Sequence, residues 1–245
     1  MDKDRFAAAR QKIIGRERER RGIGTQGEKT VHAVLKHYYA PDEDMHEIPI
    51  DVYIADIFTG RGIIEIQTAA LLQLRDKLAC FLPQYPVTVV YPIARVKWLS
   101  WIDPDSGACS PLRKSPKTGS IYQIFAELYW LKPFLDHENI RFAFPLLDIE
   151  EYRLLDGYSR DKKRGSHRHD RIPVALADEV SIDCREDYLS FIPYELPEPF
   201  TTRELAQMVK INDRLAARTL NVLRHLGIVE RSGKKGRAYL YRVVS

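Results

Sequence analysis

Carboxylates interrupt two apolar runs in the stretch IDVYIADIFTGRGIIEIQTA, residues 50–69. Asp51 and Asp56 lie in the first run, and Glu65 lies in the second, two residues before Gln67. Alternate residues of a β-strand point to the same face, so we expect Glu65 and Gln67 to share a face. Carboxylates brought together repel one another unless a cation offsets them, and such oxygen ligands suit Mg²⁺ or Mn²⁺. The pattern therefore indicates metal-assisted chemistry.

Glu28 adds a third acid from a neighbouring element. It belongs to QGEKTVHAVLKHYY, residues 26–39, where apolar residues recur at helical spacing. Taken singly, Asp51 could be an acid at a strand edge, and Glu65 could be a solvent-facing residue of an alternating strand. The convergence of three acids from adjacent elements favours a shared site over these two separate explanations.

The elements that position these acids follow from hydrophobic spacing. Residues 50–69 predict two strands joined by the turn TGRG, residues 69–84 predict a helix, and YPVTVVYPI at 85–93 predicts a buried strand. Further along, the pattern predicts a strand at 95–103, an aromatic-rich helix at 121–135, and a strand followed by a turn at 140–155. This order predicts an α/β fold built on a mixed β-sheet flanked by helices.

The same order of residues resembles the PD-(D/E)XK family of nucleases, also called restriction-endonuclease-like. The family signature is an acid on the first helix, an Asp on a strand and a Glu-x-Lys on the next strand. Here GEK supplies Glu28, IDVYI supplies Asp51, and IIEIQ supplies Glu65 and Gln67, over roughly residues 20–95. Asp51 is preferred as the family acid because it opens the strand, and Asp56 is the alternative.

The resemblance implies a restriction-endonuclease-like core that hydrolyses phosphodiester bonds. Glu28, Asp51 and Glu65 would hold Mg²⁺ or Mn²⁺, and Gln67 would position the attacking water. Gln67 is a departure, because the family usually has Lys there and an amide supplies no cation. Glu-x-Gln variants occur among active restriction enzymes of the family. Lys29, beside Glu28, and Lys77, on the following helix, are candidates for the missing charge.

The C-terminal end of the chain is basic. Residues 201–245 contain ten Lys or Arg and three Asp or Glu, whereas the net charge of the whole chain is only +4. Thr201 or Thr202 can cap a helix RELAQMVKI, and Asn212 or Asp213 can cap a second helix, RLAARTLNVLRHLG, that ends on a glycine. IVERSGKKGRAYLYRVV then predicts a hairpin with a basic tip.

Two helices followed by a basic hairpin resemble the winged-helix family, over roughly the last 45 residues. The resemblance implies that the second helix enters the major groove of DNA and that the hairpin meets phosphate. The residues implied are Arg214, Arg218 and Asn221 on the helix, and Lys234, Lys235 and Arg237 on the hairpin. Many winged helices bind protein instead, but the basic hairpin favours nucleic acid.

A second basic segment, GYSRDKKRGSHRHDR at residues 157–171, has six Lys or Arg and two Asp. We expect a mobile loop that clamps DNA through Arg164, His167 and Arg168. The alternative is a solvated loop without a function. Its two histidines alone are weak evidence for a metal site.

Composition limits the other possibilities. With 44% hydrophobic and 29% charged residues, the chain has the composition of a soluble globular protein. The three cysteines are widely separated, which fits a reducing cytoplasm better than a disulfide framework or a zinc site. No apolar run approaches the roughly 20 residues that span a bilayer, so we expect no membrane partner. LPEP at 196–199 predicts a linker, which divides the chain into domains at 1–195 and 196–245.

Two functions are compatible with these features. The first is a metal-dependent DNA endonuclease held on DNA by its winged helix. The second is a catalytically inactive nuclease-like protein that binds DNA, such as a transcriptional regulator. The sequence favours the first function, because the acids of the family signature are present even though its lysine is replaced by Gln67. RNA as the substrate, and a homodimer that cuts both strands, stay open.

Overall fold

The computed structural model describes residues 1–20, 29–157 and 165–244. Its α-helices are α1 (Lys3–Arg20), α2 (Lys29–Tyr39), α3 (Arg75–Phe81), α4 (Ile124–Leu128), α5 (Thr202–Met208) and α6 (Asp213–His225). Its strands are β1 (His46–Ile50), β2 (Tyr53–Phe58), β3 (Ile63–Ile66), β4 (Val87–Val90), β5 (Ile93–Ile102), β6 (Arg113–Lys114), β7 (Ile140–Leu154), β8 (His167–Ile182), β9 (Phe200–Thr201), β10 (Val229–Lys235) and β11 (Ala238–Val243).

Eight of the described strands form one sheet. Its order is β1-β2-β3-β4-β7-β5-β6, and β8 pairs with β7. Strands β1, β2 and β3 are antiparallel neighbours, whereas β5 and β7 are parallel. The protein therefore has an α/β fold with a mixed sheet flanked by helices, as the sequence predicts.

The chain divides into two compact units, each made of three segments. The first unit comprises Met1–Thr68, Val90–Gly119 and Phe144–Val180, and the second comprises Ala69–Val89, Ser120–Ala143 and Ser181–Ser245. The predicted boundary between residues 195 and 196 does not coincide with this division. The C-terminal helices belong to a larger unit because α6 packs against α4 and against the 3₁₀ segment Tyr129–Phe134.

The first unit contains three antiparallel strands where the sequence predicted two. Strand β1 is the addition, and a two-residue turn, Asp51–Val52, joins it to β2. The predicted turn TGRG joins β2 to β3, with Gly60 at a φ of 76° that favours glycine. Ala55 and Ile57 are fully buried on β2, so its intervening residues face the other side of the sheet.

Strands β7 and β8 are both longer than the sequence pattern predicted. The pattern at 140–155 predicted a strand and a turn, but β7 continues through Leu154 as one strand of 15 residues. Residues 167–171 were expected in a mobile loop, but they begin the 16-residue strand β8. The charged start of β8 lacks the apolar alternation by which a strand is recognised in sequence. The remainder of the expected loop, 158–164, lies outside the described residues.

The second unit contains the two helices and the hairpin predicted near the C-terminus. Thr201 caps α5 in a reciprocal capping box with Glu204, and Asn212 caps α6 by accepting a hydrogen bond from the Leu215 N–H. Gly227 follows α6 at a φ of 67°. The hairpin turns at residues 236–237, later than the predicted tip SGKKG, since Lys235 still pairs with Ala238.

The aromatic-rich segment of the second unit is not the single helix that its spacing predicted. Residues 121–135 form the short helix α4 between two 3₁₀ segments, Ile121–Gln123 and Tyr129–Phe134. Pro133 lies inside the second of these, and it cannot donate the hydrogen bond that an α-helix requires there. None of the helices in the described residues has an apolar stretch long enough to cross a membrane.

Candidate active site

The carboxylates of Asp56 and Glu65 lie together where β2 and β3 stop pairing. The last residue pair of this ladder is Ile57 with Ile64, so Asp56 and Glu65 come next on the two strands. Glu65 Oε1 accepts a hydrogen bond from the Asp56 N–H at 3.2 Å, and Asp56 Oδ2 accepts one from the Ile66 N–H at 2.8 Å. Side chains thus take over the main-chain donors that a regular ladder would use.

The two carboxylates differ in exposure. Glu65 is 1% exposed, whereas the side chain of Asp56 is 20% exposed. A buried carboxylate needs hydrogen bonds or a cation to offset its lost hydration, and two neighbouring carboxylates increase that need. The site therefore has one acid enclosed in the sheet and one that reaches solvent.

His32 joins this pair from helix α2. Its Nε2 lies 3.2 Å from Asp56 Oδ2, and its side chain is 29% exposed. Helix α2 places His32 there because Val34 and Leu35, on its adjoining face, are fully buried and fix the helix against the sheet. Sequence reasoning missed His32, because the contact joins residues 24 positions apart on separate elements.

Gln67 follows β3 directly. Its N–H donates to the Val90 carbonyl at 2.9 Å, so main-chain pairing continues through residue 67. This pairing keeps the two-residue alternation, which directs Gln67 to the same face as Glu65. The amide is half-buried. Asp56, Glu65 and Gln67 therefore line one face of neighbouring strands, beside His32.

Asp51 does not join the site, contrary to the sequence prediction. It lies in the exposed turn between β1 and β2, with a left-handed φ of 52°. Tyr53 opens β2 instead, so Asp51 is not on the strand that pairs with β3. Asp is one of the few residues that accept this conformation, because its short side chain bonds locally. Asp56, the alternative in the sequence, takes the place beside Glu65.

The sequence contained a signal for the acid that lies beside Glu65. Thr59 N–H donates to the Gly62 carbonyl at 3.0 Å, so these residues close the β2–β3 turn. Counting outward from this pair, one residue per strand, sets Asp56 opposite Glu65. The turn TGRG thus selects Asp56, whereas the position of Asp51 at the start of an apolar run does not locate it relative to Glu65.

The other predicted contributors are Glu28, Lys29 and Lys77. Glu28 lies outside the described residues, as does the side chain of Lys29. Lys77 lies on α3, in the second unit. In the described part of the chain, no group of three or more His, Cys, Asp or Glu side chains is arranged to hold a metal ion.

The carboxylates of Asp56 and Glu65 have the donor chemistry of a partial site for a hard divalent cation. Mg²⁺ retains several waters and is usually bound by one or two carboxylates together with substrate phosphates, so it does not require a complete protein cage. Both acids offer oxygen donors, and Glu65 is already oriented by the Asp56 N–H. The donor set of the described residues therefore fits Mg²⁺ or Mn²⁺ better than a metal that needs four protein ligands.

The basic residues predicted in the first unit have partners on β7 and its flanks. His167 Nδ1 lies 2.6 Å from Asp156 Oδ2, and Arg168 Nε lies 3.8 Å from Glu151 Oε2. Both side chains are more than a third exposed. Arg164 lies outside the described residues. A rigid strand thus carries two of the three residues that were expected on a mobile loop.

The second unit presents most of its predicted DNA-binding residues to solvent. Arg214 is exposed at the start of α6, and Arg218 is half-buried one turn later. Asn221 differs, because its Oδ1 accepts a hydrogen bond from Lys132 Nζ at 3.0 Å. His225 Nε2 also lies 2.9 Å from the Lys132 carbonyl. The Asn221 side of α6 is therefore engaged in contacts within the unit, and the predicted role of Asn221 at DNA stays a prediction.

The hairpin is basic and aromatic. Its exposed cations are Arg231, Lys234, Lys235, Arg237 and Arg242. Arg231 and Lys234 both lie over the ring of Tyr239, at 3.6 and 5.1 Å from its centroid. A tyrosine ring with cations on its face is a favourable arrangement that orders both side chains.

Comparison with known proteins assigns the chain to a family. Residues 29–183 match the family described as Domain of unknown function (DUF8091), a range that contains His32, Asp56, Glu65 and Gln67. An uncharacterized protein of Treponema pallidum (strain Nichols) is 31% identical over 222 residues, which cover 90% of this chain and 87% of that protein. No solved structure matches the chain. The chain belongs to the DUF8091 family.

Proposed function

We propose that the protein is a divalent-metal-dependent endonuclease that hydrolyses phosphodiester bonds of DNA. The observation that carries the proposal is the pairing of Asp56 with Glu65 across the end of the β2–β3 ladder. Gln67 on the same face and His32 at 3.2 Å from Asp56 complete the group. This set matches the strand acid and the Glu-x-Gln of the nuclease resemblance, with Asp56 in the position first given to Asp51.

Each side chain has a distinct task in this proposal. Asp56 and Glu65 would hold Mg²⁺ or Mn²⁺. When bound, such an ion would polarise the scissile phosphate and make the attacking water more acidic. Gln67 would orient that water through its amide, which accepts or donates a hydrogen bond without changing charge. His32 would hold the Asp56 carboxylate in one orientation, as residues behind metal ligands commonly do.

Basic residues of the second unit support DNA as the substrate. Arg214 is exposed and Arg218 is half-buried in the N-terminal half of α6, and Lys234, Lys235 and Arg237 are exposed at the tip of the hairpin. Cations on exposed, regular elements bind phosphate with a strong dependence on salt. We assign DNA contacts to these five residues and not to Asn221, whose amide oxygen bonds to Lys132.

The second candidate is a DNA-binding protein without nuclease activity. Gln67 favours it, because an amide supplies no positive charge to a phosphate that is being cleaved. The two candidates share the basic surfaces and differ only in hydrolysis, so a cleavage assay separates them.

The test is cleavage of supercoiled plasmid by wild type, Asp56→Asn, Glu65→Gln and Asp51→Asn, each with Mg²⁺, Mn²⁺ or EDTA. We expect metal-dependent nicking by wild type and by Asp51→Asn. Loss of one metal-holding carboxylate should lower the rate by at least about 100-fold in the other two variants. Single-stranded RNA in a parallel reaction tests the alternative substrate.

Two results would decide against the proposal. Cleavage that survives both Asp56→Asn and Glu65→Gln would place the activity elsewhere, or in a contaminant. DNA binding by the wild-type chain without cleavage under either metal would favour the inactive regulator.

A further inference from the structure

A cluster of cations surrounds one buried carboxylate in the first unit. We define the Glu151 cluster as Glu151 with Lys97, Arg153, Arg168 and Arg171, which lie on strands β5, β7 and β8. Glu151 Oε1 accepts from Arg153 at 2.9 Å, and its Oε2 lies 3.3 Å from Arg171 and 3.8 Å from Arg168. Lys97 lies on the neighbouring strand β5, two residues before Leu99, which pairs with Glu151.

The guanidinium of Arg153 is fixed in place. Besides Glu151, it donates to the Ser166 hydroxyl at 3.1 Å and to the Ser166 carbonyl at 2.9 Å. Ser166 is 2% exposed and Glu151 is 3% exposed at its side chain, so the anchor of the cluster is buried. A preorganised donor array loses little entropy when an anion binds to it.

Among the residues that the structure describes, the cations of the Glu151 cluster outnumber its single carboxylate. Four cations face one carboxylate, and burial together with Arg171, Arg168 and Arg153 lowers the pKa of Lys97 against the pull of Glu151. The neighbouring acid Asp170 accepts a hydrogen bond from the Thr30 hydroxyl at 2.9 Å and is thus directed to α2. Concentrated positive charge of this kind is unfavourable unless an anion or solvent compensates it.

The cationic side chains remain accessible. The exposed fractions of Arg153, Arg168 and Arg171 are 28%, 38% and 18%. By contrast, Arg95 on the same strand as Lys97 forms a one-to-one bidentate pair with Asp148, at 2.9 and 2.6 Å. An ordinary structural ion pair has that balanced form, and the Glu151 cluster does not.

We infer that the Glu151 cluster is a binding site for the phosphodiester backbone of a nucleic acid. Glu151 holds the arginines in register, and the solvent-accessible guanidinium and ammonium groups take phosphate oxygens. The choice of nucleic acid over other anions rests on the proposed nuclease function. The site is built on rigid strands, and it adds Lys97, Arg153 and Arg171 to the basic residues expected from the sequence.

The experiment measures the affinity of a fluorescein-labelled 20-base-pair duplex, and of one of its strands, by fluorescence anisotropy in EDTA. The test variant is Lys97→Gln/Arg168→Gln, which leaves Glu151 bonded to Arg153 and Arg171. The control, Lys12→Gln/Arg95→Gln, removes the same charge from two other ion pairs of the first unit, Lys12–Glu43 and Arg95–Asp148. All proteins carry Lys234→Gln/Lys235→Gln, so that the hairpin does not mask the result.

We expect the test variant to bind about tenfold more weakly, with a salt slope smaller by about 1–2, while the control stays within about twofold of its parent. Equal affinities of test variant and parent would overturn the inference. Equal losses in test variant and control would also overturn it, because net charge alone would then explain binding. A test variant that loses only binding to phosphatidylserine vesicles, measured by sedimentation, would reassign the site to a lipid headgroup and overturn it.

Binding and hydrolysis are measured separately, so the two proposals fail separately. A chain that binds through the cluster but cuts nothing with Mg²⁺ retains this inference and loses the proposed nuclease. A chain that cuts, while the test variant binds and cuts like its parent, retains the nuclease and loses this inference.

Discussion

Asp56 and Glu65 each accept a hydrogen bond from the main chain of the opposite strand. Glu65 Oε1 bonds to the Asp56 N–H at 3.2 Å, and Asp56 Oδ2 bonds to the Ile66 N–H at 2.8 Å. The two carboxylates therefore replace a step of the β2–β3 ladder and are fixed by the backbone itself. This arrangement holds two oxygen-rich groups close together at the end of a strand pair, and the following predictions concern the residues around it.

Gln67 is expected to act through its amide. Gln67→Leu keeps the size of the side chain but removes its hydrogen bonds, so it should lower the cleavage rate by about 100-fold. Gln67→Lys restores the cation of the common family motif and should cut at least as fast as wild type. Single-turnover cleavage at saturating protein measures both. Equal rates for Gln67→Leu and wild type would remove Gln67 from the mechanism.

His32 is expected to orient Asp56. His32→Ala should lower the single-turnover rate by about tenfold while leaving the affinity for DNA unchanged, because the contact reaches the carboxylate and not the substrate. His32→Asn can still donate a hydrogen bond, so it should recover part of the rate. Equal rates for His32→Ala and His32→Asn would contradict this role. A loss of DNA affinity without a loss of rate would also contradict it.

Asp51 is expected to act as a turn residue. At a φ of 52°, glycine is unstrained whereas alanine is not, so Asp51→Gly should be more stable than Asp51→Ala by about 1 kcal/mol. Urea denaturation followed by tryptophan fluorescence measures the difference. Both variants should retain cleavage, and loss of activity in both would return Asp51 to the candidate acids.

Glu151 is expected to make stability depend on pH. Burial alone would raise its pKa, but Arg171, Lys97, Arg153 and Arg168 outweigh burial and hold the pKa below the usual 4.5. A carboxylate with a lower pKa in the folded state than in the unfolded state stabilises the fold above the unfolded value, and this contribution disappears as the pH falls through the folded value. Wild type should therefore lose stability below about pH 5.

Glu151→Gln removes that contribution. It should lower the free energy of unfolding by about 3 kcal/mol at neutral pH, because it breaks a buried ion pair. The free energy of unfolding of this variant should also decrease less steeply than that of wild type as the pH is lowered. Urea denaturation at several pH values measures both effects. Asp105→Asn, at an exposed loop position, is the control and should follow wild type. Parallel curves for wild type and Glu151→Gln would show that the cluster does not set the pH dependence.

Thr201 and Thr202 provide a matched test of the second unit. Thr201 caps α5 through a hydrogen bond to the Glu204 N–H at 3.3 Å, whereas Thr202 is the first helical residue. Thr201→Ala should cost about 1 kcal/mol of stability, and Thr202→Ala should cost less than half of that. Thermal unfolding of the two variants under one set of conditions gives the comparison.

Local signals in the sequence were sufficient for much of the fold. The caps Thr201 and Asn212 and the stop at Gly227 are short-range features, and the structure confirms all three. The turn TGRG is another local feature, and its register sets Asp56 opposite Glu65, although the sequence interpretation preferred Asp51. Strand β1 was missed because HEIPI contains a proline and two residues that can carry charge, so it lacks the composition of a strand.

Features that depend on distant residues could not be predicted in the same way. The position of His32 beside Asp56 requires the packing of α2 on the sheet, and the Glu151 cluster requires three strands to be paired. Asn221 has a sequence position typical of a base-reading helix, yet Lys132, 89 residues away, takes its amide oxygen. A one-dimensional pattern shows which face of a helix is polar but not which partner covers it.

The division of the second unit into three segments has a consequence during synthesis. Ala69–Val89 and Ser120–Ala143 need Ser181–Ser245 to complete their unit. A ribosome adds roughly 5–20 residues per second, so the first of these segments waits about 5–20 s for the third to begin. In that interval the apolar side chains of α3 lack their final neighbours and are open to chaperones or to other nascent chains. The order of the three segments along the chain thus sets a period in which apolar side chains are exposed before the second unit can fold.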